Sequence, residues 1–418
     1  MTSSSGSAAL GDYVSLQRGT TYKSALLDRP GPLLLGLASI ARNGGFRRDG
    51  LRTYGGESPE KLLLRPGSLY VSLKDVTQSA DLLGAVARVP RDVPLGRLTQ
   101  DTVRLDVDGD ALFLAYLYWL LRTPHYRSYC RARATGTTNL GLPRIDFLSY
   151  EVPPLTTNRK LLVQAYEALD SKLENNRCLA QTLEEIAATL FKAHFVDFVD
   201  YDDLVDSDLG AIPRGWRVVT LGDVAMELRE LWDPQAEPDR LVQHYSIPAF
   251  DAGRSPEPTA GAQLKSAKLR IDAECVLISK LNPHWQRVWW PRPSEGEFGI
   301  CSAEFVVLRP RPGLSHAFLY AVARFHPRIR EHILAYATGT TGSRQRVRSR
   351  ELLGAQLAIP DPGGETEASY SIGALFAKAE HLREEVLLLA QLRDSLLPRL
   401  ISGAIRVLSP DVASAEVA

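Results

Sequence analysis

Arg344, Arg346, Arg348 and Arg350 occupy every second position of the stretch TGSRQRVRSREL. In an extended chain that spacing puts all four guanidinium groups on one face, where they match a line of phosphates or, in part, the acceptor edge of guanine. A solvated edge strand that uses charge to avoid pairing has the same pattern. The row follows ATGTT at Ala337 to Thr341, and the same five residues stand at Ala134 to Thr138, preceded by Arg127, Arg131 and Arg133 and followed by Asn139 and Arg144. Such a cluster of glycine and threonine offers backbone amides and hydroxyls to a phosphate, or makes a plain turn. RNGGFRR, from Arg42 to Arg48, sets three arginines around a Gly-Gly turn, suited to a groove-entering loop or to an ordinary surface loop. NPHWQRVWWPRP, from Asn282, places Trp285, Trp289 and Trp290 among Arg287 and Arg292. Aromatics interleaved with cations stack on bases or on a protein partner, whereas tryptophan in a core is the commoner case.

The candidate nucleic-acid contacts are therefore Arg42, Arg47, Arg48, Lys74, Arg131, Arg133, Thr137, Thr138 and Asn139 in the first half of the chain. In the second half they are Lys280, Asn282, Trp285, Arg344, Gln345, Arg346 and Arg348. No catalytic or metal-binding residue is assigned. There is no Gly-Lys dipeptide and hence no P-loop of the Walker type, and neither HExxH nor GxSxG occurs. NPHW at Asn282 to Trp285 superficially resembles the Asn-Pro-Pro-aromatic site of amino-methylating enzymes, but it has His for the second Pro and no glycine-rich cofactor loop before it. It reads better as a turn after the strand CVLISK.

These residues must be held by something, and the chain compared with itself shows what. LGD at Leu10 recurs at Leu221, LYVSL at Leu69 resembles VLISK at Val276, and ATGTT recurs unchanged, always about two hundred residues apart. After each ATGTT comes an apolar stretch ending in proline, FLSYEVPP or GAQLAIPDP, and then a helix with heptad spacing. On the first helix Leu162, Tyr166, Leu169, Leu173, Asn176, Ala180, Leu183, Ala187 and Leu190 alternate in steps of four and three. On the second the seam is Ile372, Leu375, Ala379, Leu382, Val386, Leu389, Leu392 and Leu396. Such seams belong to long helices that pack on one another, and Asn176 either fixes their register or faces solvent.

The expected class is α+β. Two homologous strand-rich domains, 10–155 and 205–365, are each followed by a long helix, 156–200 and 366–406, and the two helices pair as an antiparallel coiled coil. At about 1.5 Å per residue the first helix would extend on the order of 50 Å. Residues 1–9 and 407–418 are expected to be flexible tails.

Composition sets wider bounds. The chain has 418 residues, 44% of them apolar, with 49 basic and 49 acidic side chains, so any nucleic-acid site must be a local patch rather than a global field. Four scattered cysteines with no CxxC argue against disulfides and zinc knuckles. The longest apolar run, Ala111 to Leu121, is too short to span a bilayer, and with no signal-peptide core at the N-terminus a cytoplasmic location is expected.

In the order of these parts the chain resembles the specificity (S) subunits of type I restriction-modification systems. The resemblance covers nearly the whole chain and rests on TGTTNLGLPRIDFLSYEVPPL from Thr135, LFKAHFVDF after the first helix, IPRGWRVVTLGD from Ile212 and LLPRLISGAI from Leu396. The second half departs from the pattern, with TGSRQRVRSREL in place of the usual asparagine-bearing sequence. The resemblance implies a subunit without catalysis of its own that reads a split duplex site, one half per domain. It also implies two modification subunits on the helices, which hold S-adenosylmethionine and methylate adenine, and, in the restriction complex, motor subunits using ATP and Mg. The rival reading is a paired-domain scaffold for protein rather than DNA, because Arg and Trp clusters also make protein interfaces.

Overall fold

A computed structural model describes residues 8–398 except 78, 138, 294–295, 340–344 and 361–366. Contacts divide the chain into two units, 1–174 with 388–418, and 175–387.

Each unit is built on the same frame. In the first, Val14–Arg18, Thr102–Val107, Leu69–Ser72 and Val86–Arg88 form a four-stranded antiparallel sheet in that spatial order. In the second, Ala225–Leu228, Phe305–Pro310, Val276–Ser279 and Val288–Trp289 repeat it. The inner strands LYVS and VLIS are buried at every position, which is why they read as continuous apolar runs rather than alternating ones. A second sheet in each unit contains a parallel pair, Leu33–Leu35 with Gly96–Leu98 and Leu241–Tyr245 with Gly299–Cys301.

Two helices follow the sheet strands, Ala111–Leu120 and Pro124–Ala132 in the first unit, His316–Phe325 and Pro327–Ala335 in the second. Asp110 accepts a hydrogen bond from the Phe113 amide at 2.7 Å and Ser315 one from the Phe318 amide at 3.1 Å, the expected satisfaction of helix N-termini. The second helix of each pair has proline in its first turn, where the missing N–H costs nothing.

The long helices are Thr157–Phe195 and Glu367–Leu396, and they pack antiparallel. Inside the second unit Ala180 and Leu183 meet Ala379 and Leu382, and inside the first Asp170 bonds to Arg393 at 2.9 Å. Leu162, Leu173 and Asn176 are buried, as are Leu382 and Val386, while Leu169, Leu183 and Leu389 are half-buried. Asn176, 3% exposed, lies on the seam and not in solvent.

Two seam positions need correcting. Past Ala187 the buried residues are Phe191 and Phe195, four apart, with Leu190 only partly buried, because here the helix enters the apolar core of the second domain. At the other helix Leu392 is 47% exposed, so the seam does not reach it. Order also begins earlier than expected: Ala8–Ala9 pair antiparallel with Glu151–Val152, inside the 1–9 stretch read as flexible. The tail 407–418 lies outside the described residues. Among the described residues no helix is long and apolar enough to cross a membrane.

The second unit carries a titratable group buried neutral. His326 precedes Pro327–Ala335, is 5% exposed and meets the Phe191 ring edge-on at 6.2 Å. Burial, with a smaller contribution from Arg328, pushes its pKa down from 6.5 to about 4. A histidine whose folded pKa is depressed contributes full stability above its unfolded value and loses it as pH falls toward the folded one. The second unit is expected to weaken by roughly 2 kcal/mol between pH 7 and pH 5 on this account alone. Urea midpoints for wild type and His326→Asn at the two pH values check it; an identical pH slope in both would assign the loss elsewhere.

Candidate nucleic-acid interface

Thr135 and Thr338, the second residue of each ATGTT, stand at one edge of a small frame that the two halves build alike. In the first half, Thr135 and Gly141 exchange both backbone hydrogen bonds at 2.8 Å, closing a loop over 136–140. Leu140–Gly141 then pairs with Lys74–Asp75, and the Leu142 amide donates to the Leu73 carbonyl at 2.9 Å. In the second half, Thr338 and Arg346 exchange the same pair at 2.9 and 2.8 Å, the Asn282 amide donates to the Gln345 carbonyl at 2.7 Å, and Val347 donates to Lys280 at 3.1 Å. Ser72 and Ser279 turn the strand into the frame identically: each hydroxyl donates to the carbonyl two residues on, at 2.5 and 3.0 Å, and accepts that residue's amide at 3.2 Å.

The frame is anchored alike as well. Tyr129 donates its hydroxyl proton to the Asp146 carbonyl at 2.6 Å, and His332 Nε2 takes the matching place on the Glu351 carbonyl at 2.8 Å. Arg133 lies 3.7 Å over the Tyr129 ring, and Tyr336 lies 4.7 Å from His332. The scaffold is thus common and the side chains on its rim differ. Where the first half has Arg131 and Arg133, the second has Leu334 and Tyr336 at the same distance before ATGTT. The second loop, over 339–345, is two residues longer than the first, over 136–140.

In the first half several candidates converge. The loop Arg42 to Gly45 is a tight turn with Asn43 at φ 61°, and Asn43 Oδ1 accepts from Arg131 at 2.7 Å. Asp81 lies 3.6 Å from Arg131 and 4.0 Å from Arg42, whose side chain is 77% exposed. Lys74 pairs with Asp101 at 3.2 Å, and Arg47 sits 3.6 Å from Asp49. Thr137 and Asn139 are exposed on the loop, whose Gly136 has φ 95°; a Cβ there would meet the Asn139 carbonyl at 2.5 Å. Only glycine closes that loop. Thr138 lies outside the described residues.

Arg48 is engaged elsewhere, in a two-pronged pair with Asp92, and lies 3.6 Å from Glu174, so its charge is matched within the first unit. In the second half the row of four arginines is not realised. Arg344 lies outside the described residues, Arg346 is extended and bound to Glu304 at 2.6 and 3.1 Å, and Arg348 stands just before the helix Ser349–Leu353, on which Arg350 pairs with Glu351. Helix geometry rotates successive side chains by about 100°, so the alternation ends at Arg348. Among the described residues Arg348 has no ion-pair partner. Asn282, with φ 47°, and buried Pro283 make NPHW a structural turn, which leaves Trp285 projecting, 69% exposed.

Reading the sequence alone missed Asp75 and Asp81, which organise the first site. The Asp75 carboxylate, fully buried, accepts from the Thr77, Leu82 and Leu83 amides at 2.6, 2.6 and 3.1 Å. Arg127 holds the other side of that loop through the Ala80, Asp81 and Leu83 carbonyls. Aligning the two halves on Ser72 and Ser279 would have singled out Asp75, because it falls where Asn282 stands. Among the described residues no cluster of His, Cys, Asp and Glu could hold a metal ion.

A helix-paired protein with two copies of one strand-rich domain, each presenting a variable rim on an invariant frame, is the class that this geometry defines. No family model matches the chain. It is 24% identical over 329 residues to the type I restriction enzyme MjaIX specificity subunit of Methanocaldococcus jannaschii, across 74% of this chain and 73% of that one. It is 34% identical over 150 residues to the HindI specificity subunit of Haemophilus influenzae, across 33% of this chain and 32% of that one. In fold it is similar to the S subunit of a type I restriction-modification system from M. genitalium, with a TM-score of 0.57 at 14% identity, covering 94% and 95% of the two chains. In sequence the chain is similar to specificity subunits of type I restriction-modification systems, and in fold it is similar to an S subunit of such a system.

Proposed function

We propose that this chain is the sequence-specific DNA-binding subunit of a type I restriction-modification complex. Each domain reads one half of a bipartite duplex site, and the chain performs no chemistry itself. The observation that carries the reading is the duplicated frame with unlike rims, which is what two readers of different half-sites require. Arginine contacts to phosphate supply most of the affinity, and a few rim side chains choose the bases. Arg42, Arg131, Arg133, Thr137 and Asn139 serve the first half-site, and Lys280, Gln345, Arg346 and Arg348 the second. Two methyltransferase subunits carrying S-adenosylmethionine dock on the long helices, and restriction subunits using ATP and Mg join them in the cytoplasm.

The test is a methylation map of DNA from cells that express the chain with and without an amino-methyltransferase partner. A split motif methylated only when both are present is the expected result. Arg346→Ala should lower methylation of one half-site's sites by about tenfold while relaxing nothing in the other, since one charged contact is worth on the order of 1–3 kcal/mol. A partner that is folded and supplied with cofactor yet writes no motif would leave the protein scaffold as the function.

A further inference from the structure

Trp285 is the tryptophan that the fold does not use. Trp119, Trp232, Trp289 and Trp290 are buried, whereas Trp285 is 69% exposed. Its position is nevertheless tightly specified. The Trp285 amide donates to the Asn282 carbonyl at 2.9 Å, closing the turn that Asn282 enters with φ 47°. The next residue, Gln286, donates to the Arg324 carbonyl at 2.5 Å and accepts from Arg324 at 3.0 Å and Arg330 at 3.1 Å. Arg287 then grips Asp251 through two hydrogen bonds of 2.7 and 2.8 Å, and Val288–Trp289 enters the sheet. Arg324 lies 3.8 Å from Glu184 of the first long helix, so the turn is braced through the second unit's interior. Trp285 also lines a small cleft with Pro283, Arg330 and Ile333. No aromatic ring among the described residues stacks on its outer face.

A large aromatic held out by a rigid, cation-bearing turn has a cost, because about 25 cal/mol per Å² of apolar surface is left in water. The turn also belongs to the frame that presents Gln345 and Arg346. The chemistry that fits an indole in this setting is a nucleobase. In a duplex, an apolar side chain reaches a base face only by entering a step and partly unstacking it, which is cheapest at pyrimidine–purine steps. We infer that Trp285 is a specificity-determining wedge of the second domain, inserted at a base step of its half-site, so that this domain selects a deformable pyrimidine–purine step as well as base edges. The inference rests on the DNA-reading function proposed above.

The experiment uses the full chain with its methyltransferase partner and duplexes carrying 2-aminopurine at each step of the second half-site in turn. Wild type should raise the fluorescence of one position severalfold. Trp285→Ala should abolish that rise and weaken second-half-site binding about ten- to a hundredfold, as loss of one base-stacking aromatic does. Trp285→Phe should retain most of both, and the first half-site's footprint should not change. The side chain is largely in water, so an unchanged urea midpoint for Trp285→Ala confirms that folding is intact. Full binding and an unchanged fluorescence profile in Trp285→Ala, with both half-sites still protected, would overturn the wedge alone. Failure of the variant to assemble with the methyltransferase would also overturn it, assigning the indole to a protein interface. Failure of wild type to protect either half-site would instead overturn the DNA-reading function on which the wedge depends.

Discussion

Replacing Glu184 with glutamine should destabilise the second unit by about 3–5 kcal/mol, the cost of leaving buried charge without its partner. Glu184 projects from the first long helix, its side chain only 14% exposed. Around it stand Arg254 at 3.4 Å, Arg324 at 3.8 Å, Arg383 of the second long helix, which donates one close hydrogen bond, and the Tyr320 hydroxyl at 3.4 Å. One carboxylate thus ties both helices to the second domain. Burial opposes its ionisation, but the guanidinium groups of Arg254, Arg383 and Arg324 more than offset this and hold its pKa below the ordinary value. Nearby Glu380, also bonded to Arg383, is shifted the other way, pushed up by burial.

Glutamine keeps the shape and removes the charge, leaving Arg254 and Arg324 facing an amide. Urea unfolding of the second unit at pH 7 measures the loss. A midpoint within experimental scatter of wild type would mean that water screens the cluster after all. Acid should reproduce the effect: a depressed carboxylate stabilises the fold above its unfolded pKa, and that contribution disappears as pH falls through the folded one.

Asp75→Ala should abolish reading of the first half-site while the second remains methylatable. The carboxylate is fully buried and is the acceptor for three backbone amides, those of Thr77, Leu82 and Leu83. Each orphaned buried donor costs about 1–3 kcal/mol, so the segment from Thr77 to Leu83 cannot keep its path. Asp81 in that segment lies beside Arg42 and Arg131, and the Asn43 amide donates to the Asp81 carbonyl at 2.9 Å. The first domain's rim would therefore lose its shape as well as its support. Asp75→Asn, with one carbonyl oxygen still able to accept, should keep part of the activity. Methylation of half-site variants measures both, and wild-type use of the first half-site by Asp75→Ala would show that the rim does not depend on this loop.

Much of the architecture was legible in the residues because it is written in local, periodic signals. Both long helices and most of their seam follow from heptad spacing, which survives translation into structure because a helix fixes which residues share a face, and their antiparallel pairing follows from the order of domain, helix, domain, helix along the chain. The two frames could be located from ATGTT and the Ser72 and Ser279 strands, since a turn that requires glycine and a buried strand are local constraints. The ends of the seams were less legible. Phe191 and Phe195 leave the heptad where a domain core replaces a partner helix, and nothing in the spacing of Leu190 announces that change.

The arginines show the limit most clearly. Their spacing at Arg344 to Arg350 suggested one charged row, but a short helix starts at Ser349 and takes Arg350 out of line. Arg48 looked as available as Arg42, yet Asp92 and Glu174 match it while Arg42 remains largely exposed. Arg346 meets Glu304, 42 residues away, and Arg287 meets Asp251, 36 residues away. With equal numbers of acids and bases in the chain, whether a given arginine is neutralised depends on which distant carboxylate the fold brings within about 4 Å. The sequence by itself determined the duplication and the paired helices, because backbone preference and apolar periodicity act over a few residues. Only the tertiary structure decided which cations stay available, which segments Asp75 and Glu184 hold in place, and that Trp285, unlike Trp289 and Trp290, faces water, because ion pairing and burial depend on three-dimensional proximity.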